Sequence, residues 1–68
     1  MTREELAQKI KATRKELGIS QSKCAEYLGI SKRKLAGIES GVEMIGINTL
    51  EKFVDLCGVE LEDFLKEK

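Results

Sequence analysis

This 68-residue chain has no histidine, no proline and no tryptophan, only two cysteines, and three aromatic residues, Tyr27, Phe53 and Phe64. Without imidazole there is no His-based triad, and two cysteines are too few ligands for a closed zinc site. No metal or other cofactor is therefore expected. Cys24 and Cys57 are not in CxxC spacing, which reads as free thiols in a reducing compartment. No apolar run approaches the roughly 18–20 residues of a membrane helix. The opening Met1-Thr2-Arg3-Glu4-Glu5 is charged from the start and unlike a signal peptide, so a cytoplasmic location is expected. The length suits one small domain over 1–68. It leaves little room for a substrate cleft, and no activated nucleophile is evident, so an enzyme is not expected. No small-molecule ligand is expected either.

Net charge is also lacking: twelve Lys plus Arg balance twelve Asp plus Glu. Neutrality by itself argues against a nucleic-acid partner, because such binders are usually basic. The balance is not uniform along the chain. Residues 1–34 hold nine cations and four acids, and residues 35–68 hold three cations and eight acids, giving halves of +5 and −5. Such asymmetry points to contact with nucleic acid or a membrane surface.

What the sequence does have is helix punctuation. Thr2 and Glu5 form a capping-box pair, followed by Leu6, Ile10, Thr13 and Leu17 at helical spacing and by Gly18 as a stop. Ile19-Ser20 with Cys24, Ile30-Ser31 with Leu35, and Val59-Glu60 with Phe64 repeat the arrangement of a hydrophobic staple around a cap. Glu60 is the weakest of these caps. Ile47, Leu50, Phe53, Val54 and Cys57 make one apolar stripe that ends at Gly58. These signals predict an all-α, five-helix domain with helices near 3–17, 21–28, 32–40, 47–57 and 61–67.

The segment 21–40 carries the most information. Two short helices are joined only by Gly29-Ile30-Ser31, as in a helix-turn-helix. Ala25 is small where the helices cross, and Gly29 can adopt the positive φ of a sharp turn. Cys24, Leu28, Leu35 and Ile38 are placed to face inward. Nearly the whole chain resembles the lambdoid phage repressor and Cro, or Xre-like, helix-turn-helix family. The resemblance runs through Ile10–Lys15, Leu17–Gln21, Ala25, Leu28–Ser31, Ile38–Gly41, Asn48–Leu50 and Phe64-Leu65. It implies a prokaryotic or phage transcriptional regulator that binds double-stranded DNA, usually as a homodimer.

In a helix-turn-helix the second helix lies in the major groove with its N-terminal residues at base edges. That puts Lys32, Arg33 and Lys34 at the DNA. Arg33 suits bidentate recognition of guanine, Lys32 matches the family's first base-reading position, and Lys34 is assigned to phosphate. Gly37 matches a further base-reading position but has no side chain, and close helix packing is an equal alternative. Gln21 begins the preceding helix and matches a residue that braces a phosphate. Ser31, a cap first, Ser40 and Lys23 complete the expected phosphate contacts, and Lys11 could add long-range attraction. The resemblance further implies a structural ion pair between Arg14 and Glu39, and core roles for Cys24 and Cys57. Tyr27 is expected to pack on its own helix with its hydroxyl at the surface.

The sequence departs from the family after the third helix. Relatives commonly carry Lys, Arg and Pro there to hold phosphate, whereas this chain has Gly41-Val42-Glu43-Met44-Ile45-Gly46. Without a cation this loop gives up counterion-release terms. Val42, Met44 and Ile45 could instead anchor a dimer or another protein partner, or fold back over the core. The alternative function is thus a protein-interaction module, such as an antirepressor or a complex subunit, on the same fold.

Overall fold

Capping side chains start the first three helices, and left-handed glycines follow the first four, in the computed structural model, which describes residues 2–66. Five helices follow one another: α1 (Arg3–Glu16), α2 (Gln21–Leu28), α3 (Lys32–Glu39), α4 (Ile47–Cys57) and α5 (Leu61–Leu65). The all-α expectation is met, with no strand among the described residues. Thr2 accepts from the Glu5 amide at 3.1 Å while Glu5 accepts from the Thr2 amide at 2.8 Å, closing the capping box. Ser20 and Ser31 cap α2 and α3 by accepting from the Lys23 and Lys34 amides at 3.1 and 3.0 Å. Gly29 ends α2 at φ 73°, with Ile30 N–H bonded back to Ala25 O and Gly29 N–H to Glu26 O. This Schellman closure turns the chain within three residues and sets α3 across α2.

The expected boundaries need small corrections. Leu17 and Ser40 are C-caps, so α1 and α3 each end one residue early. The last helix ends at Leu65 with Lys66 already extended, and residue 67 of the expected span lies outside the described residues. Glu60 occupies the α5 N-cap but makes no side-chain cap bond. Tertiary contacts hold this short helix instead. Phe64 packs edge-on against Phe53, centroids 5.7 Å apart, and Lys9 of α1 lies 4.8 Å over the Phe64 ring. The Lys9 ammonium also donates to the Phe64 carbonyl, supplying the C-terminal cation that α5 itself lacks.

One core draws on all five helices: Ile10, Cys24, Ala25, Leu28, Leu35, Ile38, Leu50, Phe53, Val54 and Phe64. Two apolar residues expected within it are not. Leu17 is 43% exposed and Ile47 58% exposed, because each lies at a helix end beyond the last turn in contact with the core. On α1 the buried line is Ala7, Ile10 and Arg14, offset from the apolar stripe read in the sequence. Tyr27 is exposed.

Arg14 is the reason for that offset. Its Nε donates to Glu39 Oε2 at 2.7 Å and its Nη2 to Glu39 Oε1 at 3.1 Å, while Nη1 donates to the Ile19 carbonyl at 2.8 Å. Gln21 Nε2 donates to Glu39 Oε1 at 3.1 Å. The two ionic side chains are only 9% and 3% exposed, and no buried side-chain polar atom among the described residues is left without a partner. Bonding to Glu39 raises the Arg14 pKa further above its already high ordinary value.

Replacing either Arg14 or Glu39 by Ala should cost about 3 kcal/mol in urea unfolding, because each leaves the other charge buried and unpaired. Losing both should cost markedly less than the sum of the single losses, and additive losses would count against the coupling. Burial, aided by the Glu39 charge, also raises the Cys24 thiol pKa above its ordinary 9.0. The folded state therefore keeps a proton that the unfolded chain releases. The resulting stability is complete below pH 9.0 and declines as pH rises above it. Cys24→Ala should be less stable at neutral pH but lose less between neutrality and strongly alkaline pH, measured by denaturation at each pH.

Candidate nucleic-acid interface

With 3.6 residues per turn, Leu35, Ile38 and Glu39 set the buried side of α3, and Arg33, Gly37 and Ser40 fall on the side away from it. At eight residues α3 is about 12 Å long, comparable with the roughly 12 Å width of a B-DNA major groove. Lys32, Arg33 and Lys34 fill its first turn and are all exposed. Among the described residues, the ion pairs are Arg14–Glu39, Lys23–Glu26 and Lys66–Asp63, so the three cations have no acidic partner. Their positions at the positive end of the helix dipole each cost about 0.3–1 kcal/mol when exposed. An anion in front of the helix would reverse that penalty.

The remaining expected contacts differ in what they have free to offer. Ser31 accepts from the Lys34 amide through Oγ, which leaves its hydroxyl proton available to a phosphate oxygen. Ser40 is different: its hydroxyl donates to the Gly37 carbonyl at 3.1 Å and would have to rotate to serve a phosphate. Gln21 is half-buried and spends one amide proton on Glu39, keeping the second proton and the first-turn backbone amides of α2. Lys23 is exposed and sits 3.9 Å from Glu26, a loose pair that solvent screens. Lys11 is exposed on α1.

The loop after α3 divides its apolar residues. Ile45 is half-buried and packs on the core, whereas Val42 and Met44 are 76% and 67% exposed. Ile47, read as core from its periodicity, is exposed beside them in sequence. The loop is pinned to α3 by backbone bonds from Val42 and Glu43 N–H to the Gly37 carbonyl, at 2.9 and 3.1 Å. Gly41, at φ 83°, makes that return possible.

Two features were not legible from sequence. The Glu43 side chain lies against Gly37: a Cβ built there would stand 2.6 Å from Glu43 Oε2. Lys52, from the acidic half, brings its ammonium to 3.8 Å from the corresponding point at Gly29, in the turn between α2 and α3. The only hint of the first is the absent side chain at residue 37; nothing local predicts the second.

Comparison with known proteins agrees with this geometry. A helix-turn-helix family model matches residues 10–64. No curated protein matches the sequence significantly. A crystal structure of SinR, the master regulator for biofilm formation, in complex with DNA is 35% identical with a TM-score of 0.78, covering 90% of this chain and 98% of that one. A chain of the SinR–SinI protein complex is 36% identical with a TM-score of 0.80, covering 91% of this chain; the match spans 61% of that longer chain. The clp gene regulator ClgR from Corynebacterium glutamicum shares the fold, with a TM-score of 0.85 at 24% identity, over 93% of this chain and 67% of its own. From its matched motif and its five-helix geometry, the chain belongs to the Xre-like helix-turn-helix family.

Proposed function

We propose that this protein is a sequence-specific DNA-binding regulator of transcription, repressor-like and cytoplasmic, that lays α3 in the major groove and acts by binding rather than by chemistry. The observation that carries this reading is the exposed cluster Lys32-Arg33-Lys34 at the N-terminus of α3, which has no acidic partner among the described residues. Arg33 is the base reader, through the O6 and N7 atoms of guanine. Lys32 reads or steers at the neighbouring base. Lys34, the Ser31 hydroxyl, the α2 N-terminus at Gln21 and, more weakly, Lys23 and Ser40 take phosphates. The family relative solved with DNA supports the same partner for this chain.

Binding as a homodimer on a palindromic site fits a chain of zero net charge, which needs two modest interfaces added together. Val42 and Met44, with Ile47, are the apolar residues available for a two-fold contact. Ile45 contributes by holding the loop to the core. The same exposed side chains support a second reading, docking of another protein, and one relative is solved in a protein complex.

Arg33→Ala should weaken binding to a selected site by about 1–3 kcal/mol and relax the preference at one base pair, measured by titration against single-base variants. Lys34→Ala should weaken all sequences alike and reduce the salt slope by about one. Absence of DNA binding by the folded wild type at low salt would overturn the proposal. Val42→Ser with Met44→Ser should shift sedimentation toward monomer and weaken binding to a two-half-site operator more than to a half-site; an unchanged oligomeric state would exclude this loop as the dimer contact.

A further inference from the structure

Between Arg33 and Ser40 the outward face of α3 has a gap where Gly37 has no side chain, and a carboxylate occupies it. Glu43 reaches back from the loop so that Oε2 lies 2.6 Å, and Cγ and Cδ 3.2 and 3.3 Å, from the point a residue-37 Cβ would fill. The backbone holds it there, since Glu43 N–H and Val42 N–H both bond to the Gly37 carbonyl. Arg3 of α1, Ile38 of α3 and Glu43 line one shallow cleft. A carboxylate directed at the DNA face is costly for general phosphate attraction, so its use has to lie in discrimination.

We propose that Glu43 is a specificity-determining residue that reads a cytosine, its carboxylate accepting a hydrogen bond from the cytosine N4 amino group in the major groove. The proposal rests on the DNA-reading function assigned above to α3. An ionised carboxylate only accepts. In the major groove guanine presents O6 and N7 and thymine O4, acceptors that repel it; adenine has a donor but with the acceptor N7 beside it, whereas cytosine presents a donor alone. Gly37 lies four residues beyond Arg33, about 6 Å along the helix. With base pairs about 3.4 Å apart, the cytosine falls within about two base pairs of the guanine that Arg33 grips. Gly37 is then a positioning residue: its missing side chain is what admits the carboxylate to the groove-facing surface.

The test is selection from randomised duplexes with the full chain as wild type, Glu43→Ala and Gly37→Ala, followed by titration against single-base variants of the wild-type site. Glu43 is exposed and Ala is the better helix former at residue 37, so both variants should fold, which circular dichroism checks. Gly37→Ala keeps the charge but displaces the carboxylate, whose flexible end is what its methyl would strike. The wild-type motif should contain a cytosine near the Arg33-dependent guanine, and replacing it should weaken wild-type binding about five- to tenfold. That penalty should vanish in both variants while the rest of the motif persists. A motif without that cytosine, or a penalty that survives in Glu43→Ala, overturns this proposal and leaves the DNA-binding function standing. Failure of the wild type to enrich any sequence overturns both.

Discussion

The bidentate ion pair between Arg14 and Glu39 is the constraint on which the recognition surface depends. It ties α1 to α3, and through Gln21 and the Ile19 carbonyl it also holds the start of α2. Three helices are thus fixed by directional bonds at low exposure, where a misplaced charge is expensive. An apolar contact at the same place would tolerate rotation of α3 about its axis. The fork geometry of a guanidinium on a carboxylate does not. The face that carries Arg33 is therefore oriented from beneath, by groups that do not themselves reach the outer surface.

Above that anchor the surface is arranged by charge. Three of the nine cations of the first half gather at the start of α3, and the acids at residues 60, 62 and 63 lie on or beside α5. The two distributions cancel in sum and not in space, which orients a molecule in the field of a polyanion without giving it strong indiscriminate affinity. The exception is Glu43, whose chain returns from the Gly41 turn to the outward side of α3. Its position changes the meaning of the loop. In the proposed DNA-reading role, a loop without cations offers phosphate nothing and its one acid serves discrimination.

Local signals in the sequence had local causes and were read correctly where those causes acted alone. Thr2, Ser20 and Ser31 cap because a hydroxyl can reach an amide three residues on, and Gly29 and Gly58 stop helices because left-handed backbone disfavours a Cβ. Periodicity failed at element ends. Leu17 and Ile47 continue apolar stripes past the point where a neighbouring helix covers them. At α5 the local pattern placed the helix, but its hold comes from Phe53 and from Lys9, fifty-five residues before Phe64 in the chain. Among the site residues, the cation cluster was legible because it contradicts helix electrostatics, whereas the engagement of Gln21 and Ser40 with internal partners was not.

The helix starts, the helix-turn-helix spacing and the clustering of cations in one first turn are legible in the sequence alone, because each depends on residues within a few positions of one another. The sequence left the zero net charge ambiguous. Packing settled what spacing left open: that Gln21 joins the Arg14–Glu39 pair, that Ile45 turns in while Val42 and Met44 turn out, and that Glu43 fills the space above Gly37. These outcomes depend on how separate helices pack and how a loop returns on them, and no local spacing encodes that geometry.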